Sequence, residues 1–233
     1  MTDLPRLDGV RVPRSPALLL RPAARMFVCS RWDLRVHAAD KVPANGPVIL
    51  AANHVGWLDG PLMVVTSPRR VRTLTKLEEF EGKTGVLLRA AGQIPLDRFH
   101  PDPRAVKTAL KVLDSGGAVG IFPEGTRGAG DFARLHGGTA YLALVSGAPV
   151  VPVAFLGTRL PGGAISSVPP KGSRFDVVYG DPVYWGKHPW PRTRTLVRGT
   201  TDELARALRA HVAQAQMLTG RQLPGPVPAE EEP

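Results

Sequence analysis

The sequence predicts a single α/β domain with a mixed, largely parallel sheet flanked by helices. Short apolar runs bounded by glycine, proline or charged residues are typical of buried strands. They alternate along the chain with segments whose apolar residues recur at helical spacing, and this alternation is typical of a sheet covered by helices. The 233 residues suffice for one sizeable domain with a full hydrophobic core, or at most for two small ones.

The composition is that of a globular protein with a strong positive charge. Hydrophobic residues make up 43% and charged residues 21% of the chain. The net charge of +10 favours acidic partners such as phosphates, anionic lipid surfaces or nucleic acid. Aromatic residues, at 6% and without a stacking pattern, disfavour single-stranded nucleic acid. The single cysteine, Cys29, excludes an intramolecular disulfide, and no apolar run approaches the ~18 residues that span a bilayer.

Residues 1–33 form a basic and apolar N-terminal segment that we expect to face a membrane. Residues 1–15 are rich in proline and arginine, and residues 16–32 predict one or two short helices around Pro22. Such a segment can lie in a lipid interface. The alternative is an N-terminal helix that packs on the core. Three arginines near the end of the chain add to the expected contact with anionic lipid: Arg192, Arg194 and Arg198.

Residues 34–218 contain the predicted strands and helices of the α/β domain. The predicted strands are 34–38, 47–53, 71–75, 93–96, 118–122, 150–155 and 175–179. The predicted helices are 60–66, 78–80, a helix that ends at 87–91, 103–114, 139–146 and 199–217. The helix at 103–114 is a clear case, because Val106, Leu110 and Leu113 recur at helical spacing and two glycines follow.

Proline modifies two of these expectations. Pro152 lies inside the strand at 150–155, and a proline within a strand is typical of an edge strand or a bulge. The segment 219–233 carries four prolines and three glutamates from Leu223 onward, which predicts a disordered tail.

His54 and Asp59 follow the buried strand 47–53 and are the strongest candidates for catalysis. A histidine can accept a proton near neutral pH, and a carboxylate can orient the imidazole and stabilise its charged form. An unbroken helix would place the two side chains roughly 140° apart, but Gly56 offers a bend and Gly60-Pro61 indicates a helix that begins near Asp59. The alternative is that Asp59 caps this helix and His54 is an ordinary loop histidine.

The loop Phe122–Arg127 follows a second buried strand and suits an oxyanion. Gly125 permits close backbone approach, Thr126 offers a hydroxyl donor, and Arg127 offers a planar fork of donors. Glu124 adds a carboxylate for a ligand hydroxyl or for orienting Arg127. The alternative is a surface turn with a solvated Glu–Arg pair.

The segment Gly92–Arg98 is a further strand end that finishes in an arginine, and Arg98 is a further candidate for binding an anion. The alternative is an edge strand followed by a solvated pair of Asp97 and Arg98. The chain contains no Gly-x-Ser-x-Gly nucleophile, which argues against an acyl-enzyme route for any hydrolase-like chemistry.

Taken in order, the motifs resemble the four sequence blocks of the glycerolipid acyltransferases, most closely the bacterial 1-acylglycerol-3-phosphate acyltransferase (PlsC-like) family. The blocks are His54-x4-Asp59, Ile94–Arg98, Phe122–Arg127 and Val150–Val153. The resemblance covers about residues 34 to 180 and implies the PlsC-like fold. Lys76 looks like the family's lysine after the second strand. One departure is that Arg134 or His136 stands where the family usually has a lysine.

The resemblance implies acyl transfer to the free hydroxyl of lysophosphatidic acid, which gives phosphatidic acid in phospholipid biosynthesis. The donor would be acyl-CoA or acyl carrier protein, with no metal and no cofactor. His54 would be the general base and Asp59 its orienting group. Arg98, Lys76 and the Glu124–Arg127 loop would hold the acceptor's polar head.

The same resemblance places the protein peripherally at the cytoplasmic face of the cell membrane, on an anionic surface, with no nucleic-acid partner. Two alternatives remain open. The acceptor can be glycerol-3-phosphate, a lysophospholipid or a glycolipid, since all of these need a base and a clamp for a polar head. A nonenzymatic module that binds anionic membranes would also account for the charge.

Overall fold

The structure, a computed structural model, describes residues 5–228 of the chain. Its strands are β1 (Asp33–His37), β2 (Val48–Ala52), β3 (Val71–Lys76), β4 (Ile94–Leu96), β5 (Ala118–Ile121), β6 (Val150–Leu156) and β7 (Arg174–Tyr179). Its helices are α1 (Arg21–Arg31), α2 (Asp59–Thr66), α3 (Gly82–Ala90), α4 (Pro103–Asp114), α5 (Gly138–Ser146) and α6 (Arg194–Thr219). Short 3₁₀ turns lie at Pro16–Leu20, Ala39–Lys41 and Leu77–Phe80.

The strands form one seven-stranded sheet in the order β1-β7-β6-β2-β5-β3-β4. Every neighbouring pair is parallel except β6 and β7, which are antiparallel. The predicted mixed, largely parallel sheet is confirmed. Because β2 to β6 all run in one direction, their five carboxyl ends meet at the same edge of the sheet. Loops that follow these strands are therefore brought together there.

Helices cover both faces of the sheet. Successive side chains of β2 point alternately into the hydrophobic cores on the two faces. Val48, Leu50 and Ala52 point into the hydrophobic cluster beneath α1 and α2. Ile49 and Ala51 point into the opposite cluster, which contains residues of α4, α5 and α6. All five side chains are fully buried. A central parallel strand is apolar throughout because both of its faces lie in a core.

Pro152 lies in an interior strand, next to a bulge in the neighbouring chain segment. β6 pairs with β2 on one side and with β7 on the other. On the β7 side, Val153 lies opposite Tyr179 and Val150 opposite Val183, so the partner has one extra residue between these pairs. The missing N–H of proline falls at this interruption. Of the two expectations for Pro152, the bulge is confirmed and the edge strand is wrong.

Helix α6 begins earlier than the sequence pattern predicts, at Arg194 rather than at residue 199. Thr193 caps it, because its hydroxyl accepts a hydrogen bond from the Leu196 amide. The cap outweighs the cost of about 1 kcal/mol that Gly199 adds inside a helix.

The N-terminal segment has one packed side and one exposed side. A 3₁₀ turn precedes α1, and Pro22 lies in the first turn of α1, where a missing N–H costs nothing. Val28 packs into the core below α1 and α2. Met26 and Phe27 remain 71% and 63% exposed. α1 thus packs on the core, as one of the two alternatives expects, and it also presents an apolar outer surface.

The segment after α6 differs from the predicted disordered tail over residues 221–228. Leu223 packs against the core on the α6 side. The carbonyls of Gly225 and Pro226 accept hydrogen bonds from Arg159, at 2.7 and 3.4 Å. The sequence pattern does not predict that this segment is ordered, because backbone carbonyl groups and a single leucine make its contacts. The remaining parts of the predicted terminal segments, residues 1–4 and 229–233, lie outside the described residues.

Candidate active site

Five loops meet at the carboxyl edge of β2 to β6, and they carry the residues that the sequence singles out. The residues are His54 after β2, Lys76 at the end of β3, Arg98 after β4 and Glu124 to Arg127 after β5; the loop after β6 adds Thr158, which the sequence does not single out. The predicted positions on separate strands are therefore neighbours in space, because the strands are parallel and adjacent.

The side chains of His54 and Asp59 form a hydrogen bond. His54 Nδ1 lies 2.9 Å from Asp59 Oδ2. The His54 side chain is 16% exposed and the Asp59 side chain is fully buried. With Nδ1 as the donor to the carboxylate, Nε2 is the ring nitrogen that can accept a proton. The loop bend predicted at Gly56 thus brings the pair together, as the spacing requires.

Asp59 does not cap α2, since its carboxylate accepts hydrogen bonds from the preceding loop and from Thr158 and none from the amides of α2. Oδ2 accepts from the amides of Val55 and Gly56 at 2.7 and 2.8 Å, in addition to His54. Oδ1 accepts from the Thr158 hydroxyl at 2.6 Å. Residue Leu58 occupies the position before the first helical residue, without a side-chain cap. Four donors therefore fix the carboxylate that faces His54.

The imidazole of His54 is also positioned by the loop after β5. The rings of His54 and Phe122 stack, with centroids 4.1 Å apart and an interplanar angle of 22°. The His54 amide donates to Glu124 Oε1 at 2.9 Å, and the His54 carbonyl accepts from the Gly128 amide at 2.8 Å. These contacts leave the ring little freedom to rotate away from Asp59.

The Glu124 carboxylate accepts a hydrogen bond from the backbone amide of His54, and it does not orient Arg127. Burial raises the pKa of Glu124 to about 7; the His54 amide lowers this pKa, while Asp131 and Asp59 raise it. The Glu–Arg surface pair considered from the sequence is absent: within the described chain, the ion-pair partner of Arg127 is Glu79, at 3.5 Å. Glu124 is thus a carboxyl that changes charge near neutral pH beside the catalytic candidate.

Three cations lie near one another on the β3 and β4 side of the site. Lys76 Nζ lies 3.2 Å from Glu79, the same carboxylate that Arg127 contacts. Arg98 donates to the Gly125 carbonyl at 3.0 Å and lies 3.8 Å from Glu78. The Nε of Arg127 is buried and has no hydrogen-bond partner. Three cations against two carboxylates leave a net positive charge, and a donor of Arg127 remains available to an anion.

The turn that contains Gly125 requires glycine. Its φ is +74°, and a Cβ there would lie 2.8 Å from the ring of His136. His136, one of the two residues in place of the family lysine, therefore lies against the third motif. Arg134 is exposed, and so is Thr126, whose hydroxyl points to no described partner.

Several residues of the site escape sequence reasoning. Thr158 orients Asp59, Phe122 stacks on His54, and Glu79 joins Lys76 to Arg127. Asn53 ties the end of β2 to β6, since its side chain donates to and accepts from the backbone of Phe155. Of these residues, only Asn53 and Phe122 could have been suspected from the sequence, because Asn53 directly precedes His54 and Phe122 opens the loop motif. Thr158 and Glu79 become recognisable only through their contacts.

Two further properties bear on the kind of site. Among residues 5–228, no group of three or more histidine, cysteine, aspartate or glutamate side chains is arranged to hold a metal ion. Within the same range, every helix is too short or too polar to cross a membrane.

A histidine–carboxylate pair at the carboxyl edge of the sheet, next to a cationic cluster, is an arrangement that can deprotonate a hydroxyl close to an anionic group. The acyltransferase family model matches residues 33–156, more than half of the chain. The chain therefore belongs to this acyltransferase family, and within it the chain is similar to the 1-acyl-sn-glycerol-3-phosphate acyltransferases.

Individual relatives agree with this assignment. The 1-acyl-sn-glycerol-3-phosphate acyltransferase of Bacillus subtilis is 34% identical over 137 residues, which are 58% of this chain and 68% of that protein. The lyso-ornithine lipid O-acyltransferase of Pseudomonas aeruginosa is 33% identical over 133 residues, 54% of this chain and 49% of that protein. The crystal structure of the acyltransferase PlsC from Thermotoga maritima has the same fold, with a TM-score of 0.60 at 21% identity, over 85% of this chain and 78% of that one.

Proposed function

We propose that the protein transfers a fatty acyl group from a thioester donor, acyl-CoA or acyl carrier protein, to the free hydroxyl of lysophosphatidic acid. The observation that carries this proposal is the position of the His54–Asp59 pair beside a net-positive cluster at one edge of the sheet. A base next to a phosphate-binding group is what an acceptor with a hydroxyl and a phosphate monoester requires. The similarity to the Bacillus subtilis enzyme supports the same acceptor.

In the proposed reaction, His54 Nε2 takes the proton of the acceptor hydroxyl. The acceptor oxygen forms a bond to the thioester carbonyl carbon, and the bond from that carbon to sulfur then breaks. The proton returns from His54 to the departing thiolate. Asp59 stabilises the imidazolium between these steps. General base catalysis of this kind contributes typically about 10²–10⁴-fold, and positioning of the reactants contributes further. No step calls for a metal or a redox cofactor.

The acceptor's phosphate would bind between Arg98, Arg127 and Lys76. Arginine forks match phosphate oxygens, and the free Nε of Arg127 is a donor that its contact with Glu79 does not use. On binding, the phosphate would compete with Glu78 and Glu79 for these cations. The two glutamates thereby keep the arginines extended toward the site before the acceptor arrives.

The second candidate is acylation of a different lysolipid. The relative from Pseudomonas aeruginosa, named a lyso-ornithine lipid O-acyltransferase, is 33% identical to this chain over a stretch that covers 49% of that protein. An ornithine headgroup carries no phosphate. Dependence on the acceptor's phosphate therefore separates the two candidates.

We further propose that the enzyme works peripherally on an anionic membrane at its cytoplasmic face. Large apolar side chains of the N-terminal turn and of α1 are exposed: Leu19, Leu20, Met26 and Phe27. Arg25 and Arg31 lie on the same helix and can contact acidic headgroups.

The experiment is release of thiol from palmitoyl-CoA, oleoyl-CoA and the corresponding acyl carrier proteins, with a panel of acceptors. The panel contains lysophosphatidic acid, glycerol-3-phosphate, lysophosphatidylcholine, lyso-ornithine lipid and monoacylglycerol. We expect release to depend on lysophosphatidic acid and phosphatidic acid to form in equal amount. Release that no acceptor stimulates, in folded protein, contradicts the proposal. A preference for lyso-ornithine lipid supports the second candidate.

A further inference from the structure

A groove of about 450 Å³ lies between the start of α5 and the first turns of α6. Three arginines and one carboxylate provide its charge: Arg192, Arg194, Arg198 and Asp202. The remaining lining comes from Leu135, Gly137, Tyr141, Val197 and Thr201. The groove is open to solvent along its length rather than enclosed. The groove is thus a cationic recess with an apolar and aromatic wall.

These arginines do not continue the basic surface of α1. Helix α6 packs on the sheet face that it shares with α4 and α5. Helix α1 packs on the opposite face with α2. The sequence grouped the two sets of arginines as one lipid-binding surface, and the structure places them in different layers. The arginines of the groove are therefore a cationic surface separate from that of α1.

Two of the arginines are available to such a ligand. Arg194 and Arg198 are exposed, and within the described residues neither forms an ion pair. They are four residues apart, so they lie on one side of α6, in its first two turns. The amino-terminal end of a 26-residue helix adds partial positive charge at the same place. Together these groups favour phosphate.

One residue that lines the groove is a direct neighbour in the chain of a residue that contacts the candidate active site. Leu135 lines the groove, and the next residue, His136, lies against Gly125 of the loop after β5. The His136 amide donates to the Pro123 carbonyl at 2.9 Å, which fixes this connection. A ligand in the groove would therefore lie one loop away from His54.

We propose that this groove binds the nucleotide phosphates of coenzyme A when CoA carries the acyl group. The inference rests on the proposed use of a thioester donor. Arg194 and Arg198 would hold the 3′-phosphate and the diphosphate, and the ring of Tyr141 offers a surface on which adenine can stack. The pantetheine arm would then run past His136 and deliver the thioester to His54.

The first test varies the donor with the unmodified protein. Initial rates are measured with palmitoyl-CoA, with palmitoyl-3′-dephospho-CoA and with palmitoyl-pantetheine, at saturating lysophosphatidic acid. We expect KM to rise about tenfold when the 3′-phosphate is absent and further for the pantetheine thioester, with kcat changed little, because these contacts are made equally in the ground and transition states. Adenosine 3′,5′-bisphosphate should compete with palmitoyl-CoA.

The second test combines donor and protein changes. Arg198→Glu and Arg194→Glu should each raise KM for palmitoyl-CoA about tenfold, and the variant that removes the contact with the 3′-phosphate should also lose the preference for CoA over dephospho-CoA. Arg206→Glu is the matched control: Arg206 is exposed on the same helix, outside the groove, and its charge change is the same. It should leave both KM values unchanged. Thermal unfolding of each variant shows that the fold is kept.

The outcomes separate this inference from the proposed function. If no thioester supports transfer in the unmodified protein, the proposed function fails. If transfer occurs and Arg198→Glu and Arg194→Glu leave KM for palmitoyl-CoA unchanged, the groove is not the CoA site and the inference is overturned. The inference is also overturned if the two variants weaken only the use of palmitoyl acyl carrier protein, because the groove then serves an acidic carrier protein.

Discussion

The Asp59 carboxylate contributes both to the proposed chemistry, by orienting His54, and to the stability of the fold. It accepts hydrogen bonds from His54, Val55, Gly56 and Thr158 while it is itself fully buried. A buried carboxylate is tolerated only when donors surround it, and here three of the four donors belong to the loop that carries His54. The two residues of the pair therefore differ in what their replacement removes.

Replacing His54 by alanine should lower kcat by about 10²–10⁴-fold and leave the fold intact, because the imidazole lies in a loop and is partly exposed. Asp59→Asn should also lower turnover strongly, by loss of the charge that holds the imidazole tautomer. Unlike His54→Ala, it should cost about 1–3 kcal/mol of unfolding free energy, since one amide replaces an acceptor of four bonds. Thiol-release assays and urea unfolding measure the two effects. Near-normal turnover by folded His54→Ala protein contradicts the mechanism.

Replacing Arg98 or Arg127 by alanine should raise the apparent KM for lysophosphatidic acid about tenfold or more, with kcat nearly unchanged. Lysine at either position should restore only part of the loss, because a point charge cannot replace the fork. The control substrate is monoacylglycerol, which lacks the phosphate. The preference for the phosphorylated acceptor should collapse in both variants. If it survives in both, the arginines serve the structure or the donor.

Glu124 should make stability depend on pH. Its pKa is raised to about 7 in the folded protein, from an ordinary value of 4.5. Between these values the folded state binds more protons than the unfolded state, so the free energy of unfolding falls as pH rises from about 5 to 7. Glu124→Gln keeps an acceptor for the His54 amide and removes the titration.

The difference in unfolding free energy between Glu124→Gln and the unmodified protein should therefore grow from pH 5 to pH 8, by up to about 3 kcal/mol. Urea unfolding at unit steps of pH measures this difference. Parallel pH profiles of the two proteins would show that Glu124 ionises normally.

At the scale of single elements, α1 combines two kinds of surface. Val28 anchors the helix to the core above α2, while Met26 and Phe27 are exposed beside the basic Arg25 and Arg31. A helix of 11 residues with this division can stay folded on the protein and still insert side chains into a lipid interface.

The double replacement Met26→Ser and Phe27→Ser should weaken binding to vesicles that contain phosphatidylglycerol by at least about tenfold, because each large apolar side chain contributes about 1.5–3 kcal/mol when it is buried. The matched control is Met217→Ser with Leu218→Ser, an equally exposed apolar pair at the end of α6. Sedimentation with vesicles measures both. Binding should fall in 1 M salt and on neutral vesicles, where charges attract little. Equal losses in the two double variants would refute a specific role of α1.

At the scale of the whole molecule, the segment after α6 connects the end of the chain to the active-site loops. Arg159 is 1% exposed, and its guanidinium donates to the carbonyls of Gly128, Gly163, Gly225 and Pro226. Gly128 is also the residue whose amide bonds to the His54 carbonyl. One buried cation thus joins residues 225 and 226 to the loop that contacts the backbone of His54.

A chain that ends at Gly220 should lose about 2–4 kcal/mol of unfolding free energy, because Arg159 loses two of its acceptors and Leu223 no longer covers the core. For a domain of this size the thermal midpoint should fall by roughly 5–15 °C. A chain that ends at Pro228 keeps all of these contacts and is the control. Identical midpoints for the two shortened chains would show that residues 221–228 contribute nothing to stability.

Much of this protein could be predicted from local pattern. Apolar runs marked the strands and periodicity marked the helices, because burial on a sheet or helix face selects residue types at each position. The position of His54 directly after a buried strand, and of the Phe122–Arg127 loop after another, already indicated one functional edge. The parallel direction of the strands converts that order along the chain into proximity in space.

Which side chains meet at that edge was decided only by the tertiary structure. Thr158 bonds to Asp59 across 99 residues, and Glu79, not Glu124, pairs with Arg127 across 48. Such contacts depend on β2 lying between β6 and β5, an order that no local pattern contains. Sequence pattern reports how each residue relates to its own element, whereas hydrogen bonds between loops depend on the arrangement of all elements together. For the same reason, the arginines of α6 and those of α1 lie on opposite faces of the sheet.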